Sequence, residues 1–297
     1  MSATLVEPGT APPPPRPRPR TRHRWVPLLL VLIGVGVLVY PVIATEYNNV
    51  RQQEFADSYR QQVESAGPDA LAADLARARE YNAGLPGVPI LDPWLTSAQS
   101  GSADYDAYLS QLNRFEVMAR LRVPSIGVDL PVRHGTADDA LDTGVGHLYG
   151  TALPVGGEGS HTVLTGHTGL PDATLFDRLT EVEVGDVFYI DVSGETLAYQ
   201  VDEIDVVLPE ETDKLVPVAG EDLATLVTCT PYSVNSHRLL VRGHRIPYNP
   251  AVDAATEPNR RVLQPWMYWS LGAAAGCLLV TAVIAVRSRR RREPATA

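Results

Sequence analysis

The sequence predicts a mainly β protein, a closed or nearly closed barrel of about eight strands, preceded by helices and a loop and bracketed by two membrane-crossing helices. Three observations carry this. From Glu116 onward the chain is a series of short runs rich in Val, Ile, Leu and Tyr, separated by Gly, Pro and Asp, the pattern of strands and turns. Residues 48–81 are dominated instead by Ala, Leu, Gln, Glu and Arg, which favour helix. Residues 25–45 and 262–286 carry no charge, and each is long enough for a bilayer, which takes about 20 helical residues.

Taken in order, residues 1–24 form a Pro- and Arg-rich tail with four consecutive prolines, Pro12 to Pro15, a composition that stays disordered. Residues 25–45 form the first transmembrane helix. A second reading makes this stretch a signal peptide, with Val42-Ile43-Ala44 as its small-residue cleavage site. Residues 46–115 hold helices divided at Gly67-Pro68, and then a loop broken by Pro86, Pro89 and Pro93 that carries the isolated apolar triplet Leu91, Trp94 and Leu95. The helices read as lying outside the core domain, and residues 105–115 as a further helical turn or two.

The barrel domain is expected over 116–250, with strands at 118–123, 128–133, 162–166, 187–192, 196–208, 224–228 and 237–245. In the longest, Leu197, Tyr199 and Val201 alternate on odd positions whereas Ile204, Val206 and Leu208 alternate on even ones. That change of phase predicts a bulge near Asp202-Glu203. Residues 251–261 read as a linker, 262–286 as the second transmembrane helix with an aromatic edge at Trp266, Tyr268 and Trp269, and 287–297 as a basic tail.

Net charge is -10, but both ends are basic. Setting aside the ten tail arginines together with Glu7 and Glu293 leaves the middle at -18. So acidic a surface repels nucleic-acid phosphates, which excludes nucleic acid as a partner. Arginines on the outer flank of both apolar stretches place both termini in the cytoplasm and residues 46–261 outside, by the positive-inside bias.

Of the two cysteines, Cys277 lies in the second apolar stretch and Cys229 stands alone in the exported part. An unpaired exported cysteine reads either as a reactive thiol or as a small buried hydrophobe. Cys229 ends the apolar run Thr225-Leu226-Val227-Thr228 and precedes Thr230-Pro231, which puts its sulfur at a rim. Arg238 follows nine positions later. A turn over 231–236 makes the two antiparallel neighbours, and a guanidinium there suits an oxyanion or a substrate carbonyl. An acid/base is also required, and spacing leaves His134, His147, His161, His167 and His244 open for it. Gly166 and Gly169 around His167 allow backbone to approach a ligand. The acidic residues are scattered, with no compact oxygen-ligand loop for a metal, and no cofactor is expected.

The segment TLVTCTPYSVNSHRLLVRGHR (225–245), together with LTGHTG (164–169), resembles the signature of class C sortases. The likeness covers roughly 48–248 in organisation and is strongest over 118–247. It implies a sortase-type barrel and a membrane-bound cysteine transpeptidase in which Cys229 forms the acyl-enzyme, His167 is the acid/base and Arg238 stabilises the transition state. Asp92-Pro93-Trp94 resembles the lid motif of that class. Thr165 and Thr228, beside the motif histidine and cysteine, are expected to bind substrate. The implied partners are pilins or surface proteins bearing a C-terminal LPxTG-like sorting signal, cleaved between Thr and Gly, with a pilin lysine as acceptor.

Two other readings stand beside it: a sortase that attaches surface proteins to a cell-wall precursor, and a non-catalytic assembly scaffold. A papain-like hydrolase is disfavoured because its histidine follows its cysteine, whereas His167 precedes Cys229. Ser233 and Ser236 depart from the Gly and Thr found in many relatives.

Overall fold

The computed structural model describes residues 25–85, 92, 94, 102–256 and 263–290. The tail 1–24, the loop residues Pro86, Pro89, Leu91, Pro93 and Leu95, the second part of the linker (257–261), the first residue of the second apolar stretch (262) and residues 291–297 lie outside the described residues. Helix α1 spans Val26–Ser65 and α2 spans Pro68–Ala83, broken at Gly67-Pro68 as the sequence predicts, with proline at the first helical position where its missing N–H costs nothing. The apolar stretch 25–45 and the helical stretch that follows it are one continuous helix. No Gly or Pro occurs between 42 and 65, so nothing there interrupts the ladder. Helix α3, Ala103–Leu109, starts at Ser102, whose side chain accepts from the Tyr105 amide.

The barrel strands are β1 (Ala119–Val123), β2 (Val128–His134), β3 (Val145–His147), β4 (Ser160–Thr165), β5 (Val187–Val192), β6 (Glu195–Val207), β7 (Asp222–Thr230) and β8 (His237–Ile246). They close in the order β1-β2-β3-β4-β7-β8-β6-β5, with β1 paired to β5. Strand β3, which follows the single-turn helix α4 (Asp138–Leu141), was not expected from sequence; three residues are too few to show an alternation. The bulge falls between Val201 and Glu203 in the β6–β8 ladder. Helices α5 (Pro250–Ala255) and α6 (Pro265–Arg290) complete the chain.

The core fills the barrel with Leu121, Phe176, Phe188, Ile190, Tyr199 and Val241 among others. The helices before the barrel belong to it, contrary to their expected place outside the core domain. Leu75 and Ala78 of α2 are core residues. Tyr59 of α1 donates its hydroxyl hydrogen to the Met118 carbonyl (3.3 Å) and accepts from the Ser193 amide (2.9 Å). Asn82 both donates to the Leu153 carbonyl and accepts from the Leu153 amide. Helices this polar are held by docking more than by their own propensity.

His147 on β3 is fully buried. Its Nε2 meets the Ala152 carbonyl at 2.8 Å and its Nδ1 meets the Tyr108 hydroxyl at 3.0 Å, so the neutral ring satisfies both nitrogens. Burial pushes its pKa down to about 4. The unfolded chain therefore binds the proton first as pH falls below ~6.5, and stability present above that pH is lost down to about 4. The loss from this one group is on the order of 3 kcal/mol. Thermal melts from pH 7.5 to 4 should show a steep decline that becomes shallower in His147→Gln; parallel pH profiles would count against it.

Helices α1 and α6 are the two described helices long and apolar enough to cross a membrane. They pack together, Ser270 donating to the Leu38 carbonyl. Cys277 is exposed on α6.

Candidate active site

Two ladders bring distant residues to one rim. In the antiparallel β7–β8 pair, Cys229 is directly opposite Arg238, the neighbourhood expected from the turn over 231–236. Strand β4 runs parallel to β7, with Thr165 opposite Val227, so the chain leaving β4 emerges beside the end of β7. The Gly166 amide donates to the Val227 carbonyl (3.1 Å), and the Thr228 hydroxyl donates to the Gly166 carbonyl (2.8 Å). His167 is the next residue. Four strand histidines are engaged elsewhere: His134 with the Gln111 carbonyl, His147 as above, His161 with Thr225 and Val216, and His244 near Asp202; His237 starts β8 at the same rim, opposite Thr230, with its Nδ1 2.9 Å from the Ser236 hydroxyl.

Gly166 has a different reason from the ligand approach expected of it. A Cβ there would sit 2.7 Å from the Phe176 ring, so the glycine makes room for a core aromatic. Gly169 turns with φ +79° and runs beside Ser233, whose amide would be 3.6 Å from an added Cβ. The loop after His167 is pinned by Asp177, which sequence reasoning missed. Asp177 accepts from the Gly169 amide (2.7 Å), the Thr168 hydroxyl (3.1 Å) and, from the base of α6, the Gln264 amide group (2.9 Å). Nothing local marks this acid among so many others.

Thr165 and Thr228 are both buried. The Thr228 hydroxyl is occupied in holding the Gly166 carbonyl, and the Thr165 hydroxyl is enclosed with no hydrogen-bond partner among the described residues. Thr228 thereby supports the backbone that carries His167.

Asp92 and Trp94 lie over the same rim. Asp92 is 3 % exposed and accepts from Arg238 at both oxygens, Nε at 2.6 Å and Nη2 at 3.2 Å. Its Oδ1 also accepts from the Trp94 amide (3.0 Å). The Trp94 ring covers the Arg238 guanidinium at 4.5 Å, its Nε1 donates to His167 Nδ1 (3.4 Å), and the ring packs on the Leu148, Val163, Leu215, Val227 and Leu240 cluster. One short segment thus engages both the guanidinium and the imidazole.

Electrostatics follow from this cover. Burial pushes the Cys229 thiol up, Arg238 opposes this and Asp92 adds to it. Burial also pushes His167 down, against the fields of Asp142 and Asp138. Covered, both groups are held toward their neutral forms. A thiol reacts as its thiolate, so this is an unreactive arrangement of residue types suited to acyl transfer. Among the described residues, no group of three or more His, Cys, Asp or Glu is arranged to hold a metal ion.

The sortase domain family matches residues 121–246. Sortase C-1 of Actinomyces oris superposes with a TM-score of 0.59 at 55% identity, covering 61% of this chain and 99% of that one. The chain belongs to the sortase family. A sortase C of Streptococcus pneumoniae, described in connection with catalysis and pilin substrate specificity, gives a TM-score of 0.59 at 42% identity over 66% of this chain and 97% of its own. Bacillus subtilis sortase D is 30% identical over 129 residues, 42% of this chain. That match spans 62% of the length of sortase D. The mainly β barrel of eight strands with helices before it is the sortase fold, and these relatives carry more than one class letter.

Proposed function

We propose that the chain is a membrane-anchored cysteine transpeptidase of the pilin-polymerising, class C type, with residues 46–261 outside the membrane and both termini in the cytoplasm. The observation that carries this reading is the placing of Arg238 opposite Cys229 with Asp92 and Trp94 closed over Arg238 and His167. The likeness to the sortase C enzymes supports the class.

In the proposed reaction the Cys229 thiolate attacks the threonine carbonyl of an LPxTG-like sorting signal. Arg238 neutralises the oxyanion, and His167 as imidazolium gives its proton to the departing glycine amine, leaving a thioester. A lysine amine of the next pilin then attacks the thioester, loses a proton to His167, and expels the Cys229 thiolate as the isopeptide bond forms. Before either step Asp92 and Trp94 must withdraw, which frees Arg238 and rehydrates the thiol and imidazole.

Incubating the full chain with purified pilin subunits tests this. Covalent ladders on a denaturing gel are expected, absent with Cys229→Ala, with a thioester adduct on Cys229 trapped when lysine is blocked. Transfer to a wall-precursor amine without ladders would assign the anchoring reaction instead, and full assembly by Cys229→Ala would leave only a scaffold.

A further inference from the structure

We propose that the rim carrying Cys229 faces the bilayer, and that the β7–β8 turn (231–236) seats Tyr232 and Val234 in the lipid headgroup layer. This rests on the reading of α1 and α6 as membrane anchors. The first charge after the apolar run of α1 is Glu46, which marks where the helix leaves the hydrocarbon. At that level the helix grips the loop that follows His167. Thr45 donates to the Pro171 carbonyl (3.3 Å), Asn48 to the Asp172 carbonyl (2.8 Å), and Asn49 to the Thr174 hydroxyl (2.9 Å). Thr45 to Asn49 spans only about 6 Å of helix axis.

The opposite end of the barrel is held much farther up. Tyr59 meets Ser193, and Val63 lies by Gly194, at the β5–β6 turn. These residues stand roughly 21–27 Å above Thr45 along α1. The register says which end is which: β6 pairs its start, Ala198, with Ile246 at the end of β8, and its end, Val207, with Arg238 at the start. The β5–β6 turn and the Cys229–Arg238 rim are therefore at opposite ends. The catalytic end is the one next to Glu46.

The second anchor agrees. Tyr232 shares a crevice with Gln264, Pro265 and Trp266 at the base of α6, and Gln264 is bonded to Asp177 beside Gly169. The turn 231–236 reads Pro-Tyr-Ser-Val-Asn-Ser, without a charge, and is shaped by Val234 and Asn235 amides donating to the Pro231 carbonyl. Yet it leaves Tyr232 50% and Val234 68% exposed. An amphipathic ring and an aliphatic side chain on an uncharged turn, continuous with the aromatic edge of a spanning helix, fit the interface, where tyrosine and tryptophan gather.

The test uses the full chain in lipid nanodiscs, with Cys229→Ala and Cys277→Ser removing the native thiols. Single cysteines at Val234→Cys, Val218→Cys and Trp269→Cys carry an environment-sensitive fluorophore, and the lipid carries a nitroxide at the headgroup or upper acyl chain. Val218 is exposed in the connection before β7, at the far rim. Labels at 234 and 269 should lose at least half their emission while the label at 218 keeps nearly all of it. Quenching at 269 with none at 234 would overturn this orientation alone and give the turn to an aqueous partner. No quenching at 269 would overturn the anchoring as well.

Discussion

With Asp92 replaced by alanine, Cys229 should be alkylated by iodoacetamide at neutral pH about tenfold faster or more, and Trp94→Ala should act in the same direction. Asp92 holds Arg238 through two charge-assisted bonds, and bonds to charged groups are worth roughly 1.5–3 kcal/mol. Both partners are nearly enclosed, with side-chain exposures of 12% for Arg238 and 1% for Asp92, so solvent screens the pair little. Each 1.4 kcal/mol removed raises the uncovered population about tenfold, and the stacked indole contributes a further ~0.5–2 kcal/mol through its contact with the guanidinium. Losing the carboxylate also removes a charge that raises the Cys229 pKa. Rates are read by intact-mass spectrometry; values within twofold of the unaltered chain for both variants would mean that this segment does not cover the thiol.

Arg238→Ala made in the Asp92→Ala background should lower kcat/KM for a sorting-signal peptide by about 10²–10³-fold, the usual cost of losing one donor to an oxyanion. The background matters because removing Arg238 alone strands a buried carboxylate, and that penalty would be mixed with the catalytic one. Arg238→Lys should recover only part of the loss, since an ammonium lacks the rigid fork. Alkylation of Cys229 requires the thiolate but no oxyanion, so it should fall far less than kcat/KM. Equal losses in both assays would restrict Arg238 to acting on the thiol.

Much of the site is legible because its chemistry is local in sequence. Cys229 and Arg238 sit on consecutive strands joined by a short turn, so antiparallel pairing follows from spacing. The phase change in β6 likewise exposes its bulge, since side chains alternate with a strict period of two. His167 is a different case. It is brought to the rim by the parallel β4–β7 ladder, which joins segments some 60 residues apart, and before the resemblance is considered the spacing left five histidines open. Asp177 was invisible for the same reason: its donors come from the loop at 168–169 and from Gln264, far along the chain.

By itself, then, the sequence determined the barrel class, the two apolar spans, the lone cysteine outside them and its arginine neighbour, because periodicity, charge and short turns act within a few residues. Only tertiary structure decided that the helices before the barrel join its core, that Gly166 yields space to Phe176, that Thr228 supports the histidine loop, and that Asp92 and Trp94 close on Arg238 and His167. Those outcomes depend on which surfaces meet after the chain has folded, and burial, not residue type, then sets whether a thiol and an imidazole are charged or neutral.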